Sequence, residues 1–331
     1  KKDFKMKKIK FEKIENFILF GGGQLVLEMC IFLKKNKKNI IVITSKEQSE
    51  NKIYFNQYSF KNYLVKNKIK FKILSNLKKT NQWTHLIKKN SIAISNSCRW
   101  IFKHKEINLF KNKLINIHNA NLPSFRGAGG LSWNMMTNNY NSGITIHLID
   151  KKIDAGKFIL KKSFTFPLKI RNSLLEMQKY SINFQKKQVI NFLSKLIKNK
   201  VFKLNIIKDS PNSCYWPRIS TEKHAWINWS WNANQISDFI NSCSTPYIGA
   251  ATTINKKVIR FKKAKPAKSK INFHPFQYGL IYKKIKNEIY VASKKGGVII
   301  DISNIKNKKG FLGKRLLTTN KTLNKSLEEV F

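Results

Sequence analysis

The stretch NFILFGGGQLVLEMCIFLKKN, residues 16–36, changes its hydrophobic pattern in the middle. An unbroken apolar run ends at three glycines, and from Gln24 the apolar residues return at helical spacing. This reads as a strand, a tight turn and a helix. Similar runs recur through the first half of the chain: NIIVITS (39–45), KIKFKILS (68–75), SIAISNS (91–97) and KLINIH (113–118), with the helical pattern FKNYLVKN (60–67) before the third strand. Short strands alternating with helical spacers predict βαβ units and a mostly parallel sheet in an α/β domain. The strands are apolar throughout, as strands covered on both faces tend to be.

Beyond a loop at 119–130, LSWNMMTNN is helical in pattern, and SGITIHLID (142–150) and GKFILKKSFTF (156–166) are strands close enough to pair. Residues 171–199 carry the longest amphipathic pattern, a helix that closes the first domain. A Pro-, Ser- and Asn-rich segment, KDSPNSCYWPR (208–218), marks a boundary, giving domains 1–207 and 208–331. In the second, Ser230 or Asn232 caps a helix. The runs AATTI, KVIRFKKAK, GLIYKKI, EIYVAS and GVIIDIS predict a smaller open β-barrel. The Lys/Asn-rich tail, 304–331, is expected to be only partly ordered.

The chain has 331 residues and is 42% hydrophobic, enough for two domains with real cores. No apolar run reaches the length of a membrane span, and the basic start KKDFKMKKIKFEK has no signal-like apolar stretch behind it. The expectation is a soluble cytoplasmic protein with no membrane partner. Cys30, Cys98, Cys214 and Cys243 form no C-x-x-C pair and sit near no histidine at zinc spacing, so they read as reduced thiols and no metal site is expected. The formal charge is +48, which invites a nucleic-acid reading. Nearly all of it is lysine, spread along the chain among Asn and Ile; the arginines are Arg99, Arg126, Arg171, Arg218, Arg260 and Arg315. A phosphate-reading surface relies on the arginine fork, so the lysines read as solvated faces with some nonspecific polyanion binding at low salt. The sequence sets no oligomeric state; a homodimer is one option.

The chemistry-bearing residues gather in the middle. In INIHNANLPSFRG (115–127), Asn116 and His118 share one face of a strand end by alternation. A parallel sheet places functional groups at the carboxyl ends of its strands. Between Glu106 and Glu176 the acidic residues are Asp150 and Asp154, in HLIDKKIDAG, and His147 opens that segment. An Asn amide donates without titrating, a His donates or takes a proton, and an Asp sets the His charge or collects a proton. That is equipment for acyl transfer through a tetrahedral oxyanion. No serine or cysteine nucleophile is evident nearby, so an amine of the substrate would attack. The competing reading is structural: the His satisfies a carbonyl and the Asn caps a turn.

INIHNANLPSFRG followed by SGITIHLIDKKIDAGKFIL resembles the signature of the folate-dependent formyltransferases, N-x-H-x-x-x-L-P-x-x-R-G and then a strand ending in a D-x-G turn. The resemblance implies a Rossmann-like formyltransferase domain, Asn116, His118 and Asp154 as the catalytic trio, and 10-formyltetrahydrofolate as cosubstrate. Asn116 and protonated His118 would hold the developing oxyanion; Asp154 would tune His118 and help remove the amine proton. Asp154 is preferred to Asp150 as the catalytic carboxylate by its place in the turn. The folate site implied lies on SNSCRWIFK (95–103), with Arg99, Trp100, Ile101 and Phe102, and beside the Asp turn, with Asp150 and Ile153. Core packing is an equal reading for Ile101 and Phe102.

On the acceptor side the candidates are Gly22, Gly23, Asn121, Pro123, Arg126 and Gly127. GGGQ (21–24) is not G-x-G-x-x-G, so it reads first as a tight turn and only weakly as a dinucleotide site. The loop departs from the family at Asn119-Ala120-Asn121, and RGAGGLSW (126–133) departs from the usual methionyl-tRNA formyltransferase sequence after R-G. The segment 214–250, with WINWSW and PYIGA, is similar to the C-terminal domain of methionyl-tRNA formyltransferases and equally to UDP-4-amino-arabinose formyltransferases. The altered loop sits where the amine must enter, and the N-terminal third lacks an Arg-rich insertion. A nucleotide-linked amino sugar is therefore the expected acceptor, with initiator methionyl-tRNA as the alternative. FHPFQYGLI (273–281) reads as barrel core before it reads as a base-stacking cluster.

Overall fold

The computed structural model describes residues 7–53, 58–268, 271–305 and 310–328. The chain divides into two compact units. One comprises residues up to Arg126, Ser142–Phe164 and Tyr180–Tyr215; the other comprises Gly127–Asn141, Thr165–Lys179 and residues from Trp216 onward.

The first unit is built on β1 (Asn16–Gly21), α1 (Gln24–Lys35), β2 (Asn39–Ser45), α2 (Phe60–Lys66), β3 (Lys70–Leu74), β4 (Ser91–Asn96), α3 (His104–Leu109), β5 (Leu114–His118), β6 (Asn141–Leu148) and β7 (Phe158–Thr165). These strands form one seven-stranded sheet in the order β3-β2-β1-β4-β5-β6-β7. Strands β1 to β5 run parallel, and β6 is antiparallel to β5. The order turns back between β1 and β4, which makes their carboxyl ends the place where such a sheet opens a crevice.

Apolar runs without alternation are explained by cover on both faces. Phe17 and Leu19 of β1 join a core with Val26, Met29 and Leu33 of α1 and with Phe192 and Leu193. The alternate residues Ile18 and Phe20 join a second core with Trp83, Phe102 and Phe110. The amphipathic segment near 171–199 is a 24-residue helix, α5 (Leu174–Ile197). LSWNMM lies in a shorter helix, α4 (Gly130–Met136).

In the second unit, α6 (Ala233–Ser242) is capped by Asn232, whose side chain accepts from the Gln235 N–H while the Gln235 side chain accepts from the Asn232 N–H. Strands β8 (Ala250–Ile254) and β9 (Lys257–Phe261) pair antiparallel. Strands β10 (Ala264–Pro266), β11 (Ile281–Ile285), β12 (Glu288–Ala292) and β13 (Gly297–Asp301) form an antiparallel sheet in the order β10-β13-β12-β11. Ile281, Ile289, Val291, Val298 and Ile300 pack with Ile236 and Ile240 of α6. In the tail, Asn320–Glu328 is helical; 306–309 and 329–331, like residues 1–6 of the basic start, lie outside the described residues. Among the described residues no helix is long and apolar enough to cross a membrane. None of the four cysteines is in a disulfide among the described residues, and burial pushes the Cys30 and Cys243 thiols up to about 12.

Candidate active site

The antiparallel ladder between β5 and β6 sets Asn116 opposite His147 and His118 opposite Thr145. Side chains two apart on a strand share a face, so these four project together at one end of the sheet. The turn after β6 brings a fifth group back to them. It depends on Gly156: a Cβ there would stand 1.8 Å from the Leu148 carbonyl oxygen, so only glycine fits without a backbone shift. Asp154 sits in that turn with φ 49, the left-handed region that Asp tolerates better than most residues.

The result is a closed polar cluster. The Asn116 amide nitrogen lies 3.2 Å from Asp154 Oδ1 and 3.2 Å from His147 Nε2. Asp154 Oδ2 is 3.6 Å from His118 Nδ1, and Asp154 Oδ1 is 3.5 Å from His147 Nε2. Each imidazole has its far nitrogen on a backbone carbonyl: His118 Nε2 on Phe125 at 2.5 Å, His147 Nδ1 on Leu148 at 2.8 Å. A carbonyl only accepts, so both far nitrogens carry protons. His118 and Asp154 keep 10% of their side-chain surface exposed, and His147 keeps 2%. Burial pushes the His118 imidazolium below the ordinary histidine range, against the opposing pull of Asp154 and the Phe125 carbonyl.

The loop after His118 is held by buried side chains. Thr145 donates its hydroxyl to the Ala120 carbonyl and accepts from the Leu122 N–H. Asn96, at the end of β4, donates to the Ile117 carbonyl and to the Asn119 side chain. Arg126 binds Asp209 through Nη2 at 2.6 Å. These ties carry Phe125 to within reach of His118.

The trio read from the sequence is thus gathered around Asp154, which contacts both Asn116 and His118. The other candidates stand in varied surroundings. Arg99 pairs with Glu47. Trp100 donates its indole N–H to the Ser75 carbonyl at 3.2 Å. Ile101 is 67% exposed and Ile153 42% exposed. Phe102 packs edge-on against Phe20, 5.1 Å between ring centres, inside the second core, and lines no open surface. Asp150 is exposed and binds only the neighbouring Lys151 N–H among the bonds described for it. Gly22 is buried against Gln48, whereas Gly23 is exposed at the start of α1. Among the described residues, Asn121 Oδ1 and Arg126 Nε are buried without a partner. Pro123 follows a cis peptide, and Gly127 takes φ 94. His147, to which the sequence assigned no role, lies in the centre of the cluster. Its signal was present in the alternation Thr145-x-His147, but only the strand pairing gives that alternation a meaning.

Comparison with known proteins gives a family. The Formyl transferase family model matches residues 14–187, and the model of the Formyl transferase C-terminal domain matches 219–321. The chain is 27% identical over 314 residues to the bifunctional polymyxin resistance protein ArnA of Wigglesworthia glossinidia brevipalpis, covering 91% of this chain and 46% of that protein. It is 28% identical over 160 residues to a methionyl-tRNA formyltransferase of Geobacter metallireducens, covering 46% of this chain and 47% of that protein. The match to these first curated relatives thus spans about half of their length. Among solved structures it is similar in fold to WlaRD, a sugar 3N-formyl transferase crystallised with dTDP and 5-N-formyl-THF, at 20% identity and TM-score 0.64, covering 93% of this chain and 99% of that one.

Proposed function

This chain belongs to the formyl transferase family, and on that premise we propose that it transfers a formyl group from 10-formyltetrahydrofolate to the amine of a nucleotide-linked amino sugar. The observation that carries the reading is the cluster itself. A carboxylate, Asp154, lies 3.2 Å from an uncharged amide, Asn116, and 3.6 Å from an imidazole, His118, at one end of a sheet. The donor set fits acyl transfer to an amine, because it supplies hydrogen-bond donors for a developing negative oxygen and a base for the amine proton, with no nucleophile of its own.

In this reading 10-formyltetrahydrofolate supplies the formyl carbon, and the chain's residues orient it and move a proton. Asn116 and His118 turn N–H groups from their internal acceptors toward the formyl oxygen as it gains charge. Asp154 takes the proton of the attacking amine. That proton ends on the nitrogen that leaves the formyl carbon, so the net reaction consumes none. Arg99, Trp100, Ile101, Asp150 and Ile153 are assigned to the formyl donor; Gly22, Gly23, Asn121, Pro123, Arg126 and Gly127 are assigned to the acceptor. The division into a catalytic 1–207 and a barrel-like 208–331 belongs to the same proposal.

A second acceptor, initiator methionyl-tRNA, is favoured by one observation: the formal charge of +48. The discriminating assay mixes the protein and 10-formyltetrahydrofolate with nucleotide-linked amino sugars or with charged initiator tRNA and follows tetrahydrofolate release, with His118→Asn as the control. Turnover with a sugar alone supports the proposal. Turnover with tRNA alone replaces the acceptor, and release that persists in His118→Asn removes the site.

A further inference from the structure

We infer that His147 is a positioning residue of this site: its Nε2 lone pair holds the Asn116 amide nitrogen on the Asp154 side throughout the reaction. The inference rests on the formyl-transfer reading for its consequence, though not for its geometry.

The tautomer follows from the contacts. His147 Nδ1 is 2.8 Å from the Leu148 carbonyl oxygen and must donate to it. A neutral ring then has its lone pair at Nε2, 3.2 Å from the Asn116 amide nitrogen. The pairing is built into the sheet, because Asn116 and His147 are direct cross-strand partners. Rotating the amide by half a turn would bring its oxygen against the Nε2 lone pair and against Asp154 Oδ1, two acceptors facing a third. The ring is 2% exposed, so water does not relieve that repulsion.

Asp154 also holds the amide, at 3.2 Å, so a second acceptor needs a reason. The reason lies in the reaction. When Asp154 takes the amine proton it becomes a hydroxyl donor on one oxygen and a weaker acceptor on the other. An amide held by Asp154 alone would lose its orientation at the moment the oxygen of the formyl group needs it. His147 does not change state in that step, so its grip persists. His147 lies 3.5 Å from Asp154 Oδ1 as well as 3.2 Å from the Asn116 amide, but it touches neither the formyl group nor the amine in this scheme and acts through Asn116.

Two variants separate this from simple packing. His147→Gln keeps an acceptor oxygen near the position of Nε2; His147→Met fills similar volume and has none. Formyl transfer by the full chain is expected to fall roughly 10²-fold in kcat for His147→Met, with KM for both substrates little changed, because misplacement of a catalytic group costs about that much. His147→Gln is expected to recover most of the rate. Independently of activity, NMR of the protein labelled with 15N-histidine should show His147 protonated at Nδ1 and bare at Nε2 near neutral pH, with assignment by loss of the signal in His147→Gln. An Nε2-protonated ring would overturn the inference. So would equal losses in the two variants accompanied by equal falls in melting temperature. If the unaltered chain moved no formyl group, the functional reading would fail, and the tautomer would still decide the geometry.

Discussion

Gly156 carries no side chain, yet it decides where Asp154 can stand. Alanine at 156 would force its Cβ to within 1.8 Å of a backbone oxygen, so the turn has to move. We expect Gly156→Ala to cost about 1–3 kcal/mol of stability, the range for overpacking, and roughly 10²-fold in kcat through displacement of Asp154. Urea unfolding and steady-state kinetics would measure the two losses; an active Gly156→Ala enzyme would show that the turn does not set the carboxylate. His118 makes a second prediction at this scale. Its folded pKa lies below the ordinary value of about 6.5 that it has in the unfolded chain. The unfolded chain therefore binds more protons below about pH 6.5, and stability falls as the pH drops from there through the folded pKa. Above that window the contribution is fully present. Urea midpoints at pH 7.5 and 5.5 should fall further apart in the native protein than in His118→Gln, and an equal spread would show that burial of His118 has no titrational cost. Asn116 and His118 were legible from alternation along one strand. Asp154 needed the family resemblance to distinguish it from Asp150, because the close approach of Gly156 to Leu148 is a fact of the folded turn and leaves no mark in spacing.

Elements were legible wherever the hydrophobic period was long enough to repeat. The strands β1 to β5 and the helix after 171 were all readable in this way, although β3, at the edge of the sheet, leaves Ile73 exposed. The capping position was narrowed to Ser230 or Asn232, and the reciprocal bonds between Asn232 and Gln235 at 2.9 and 3.1 Å select Asn232. Asn232→Ala should lower stability by about 1 kcal/mol. Asn232→Ser, which restores a capping oxygen, should recover most of it in the same urea titration; no recovery would place the loss elsewhere than the cap. What the sequence could not give was pairing between elements. His147 gains its position from lying opposite Asn116, 31 residues away. Phe102, one residue from exposed Ile101, follows a strand end where a loop is expected to meet solvent. Its ring is drawn instead into the aromatic group of Phe20, Trp83 and Phe110. No local pattern separates these two neighbours, since the difference is made by side chains distant in sequence.

At the scale of the whole molecule the dominant fact is charge. Basic residues number 65 and acidic residues 17, so even complete pairing would leave most lysines without an acidic partner. The described ion pairs are mostly exposed, such as Lys265–Glu288 and Lys179–Glu176, and contribute little each. Self-repulsion among the remaining lysines then acts against the compact state at low ionic strength. Added salt shortens the screening length from about 30 Å at 0.01 M to about 10 Å at 0.1 M, which removes repulsion between distant lysines before it weakens close pairs. The melting temperature should therefore rise with sodium chloride over this range, whereas a protein stabilised by its ion pairs would melt earlier. The same excess charge predicts that nonspecific single-stranded RNA is held at low salt and released as salt increases, with a log–log slope that counts the phosphates engaged. Salt dependence of catalysis then bears on the acceptor. A nucleotide-linked sugar brings few phosphates, so its kcat/KM should change little where RNA binding collapses. If turnover of every accepted substrate fell as steeply as RNA binding, the lysines would be part of substrate capture, and the acceptor would have to be a polyanion.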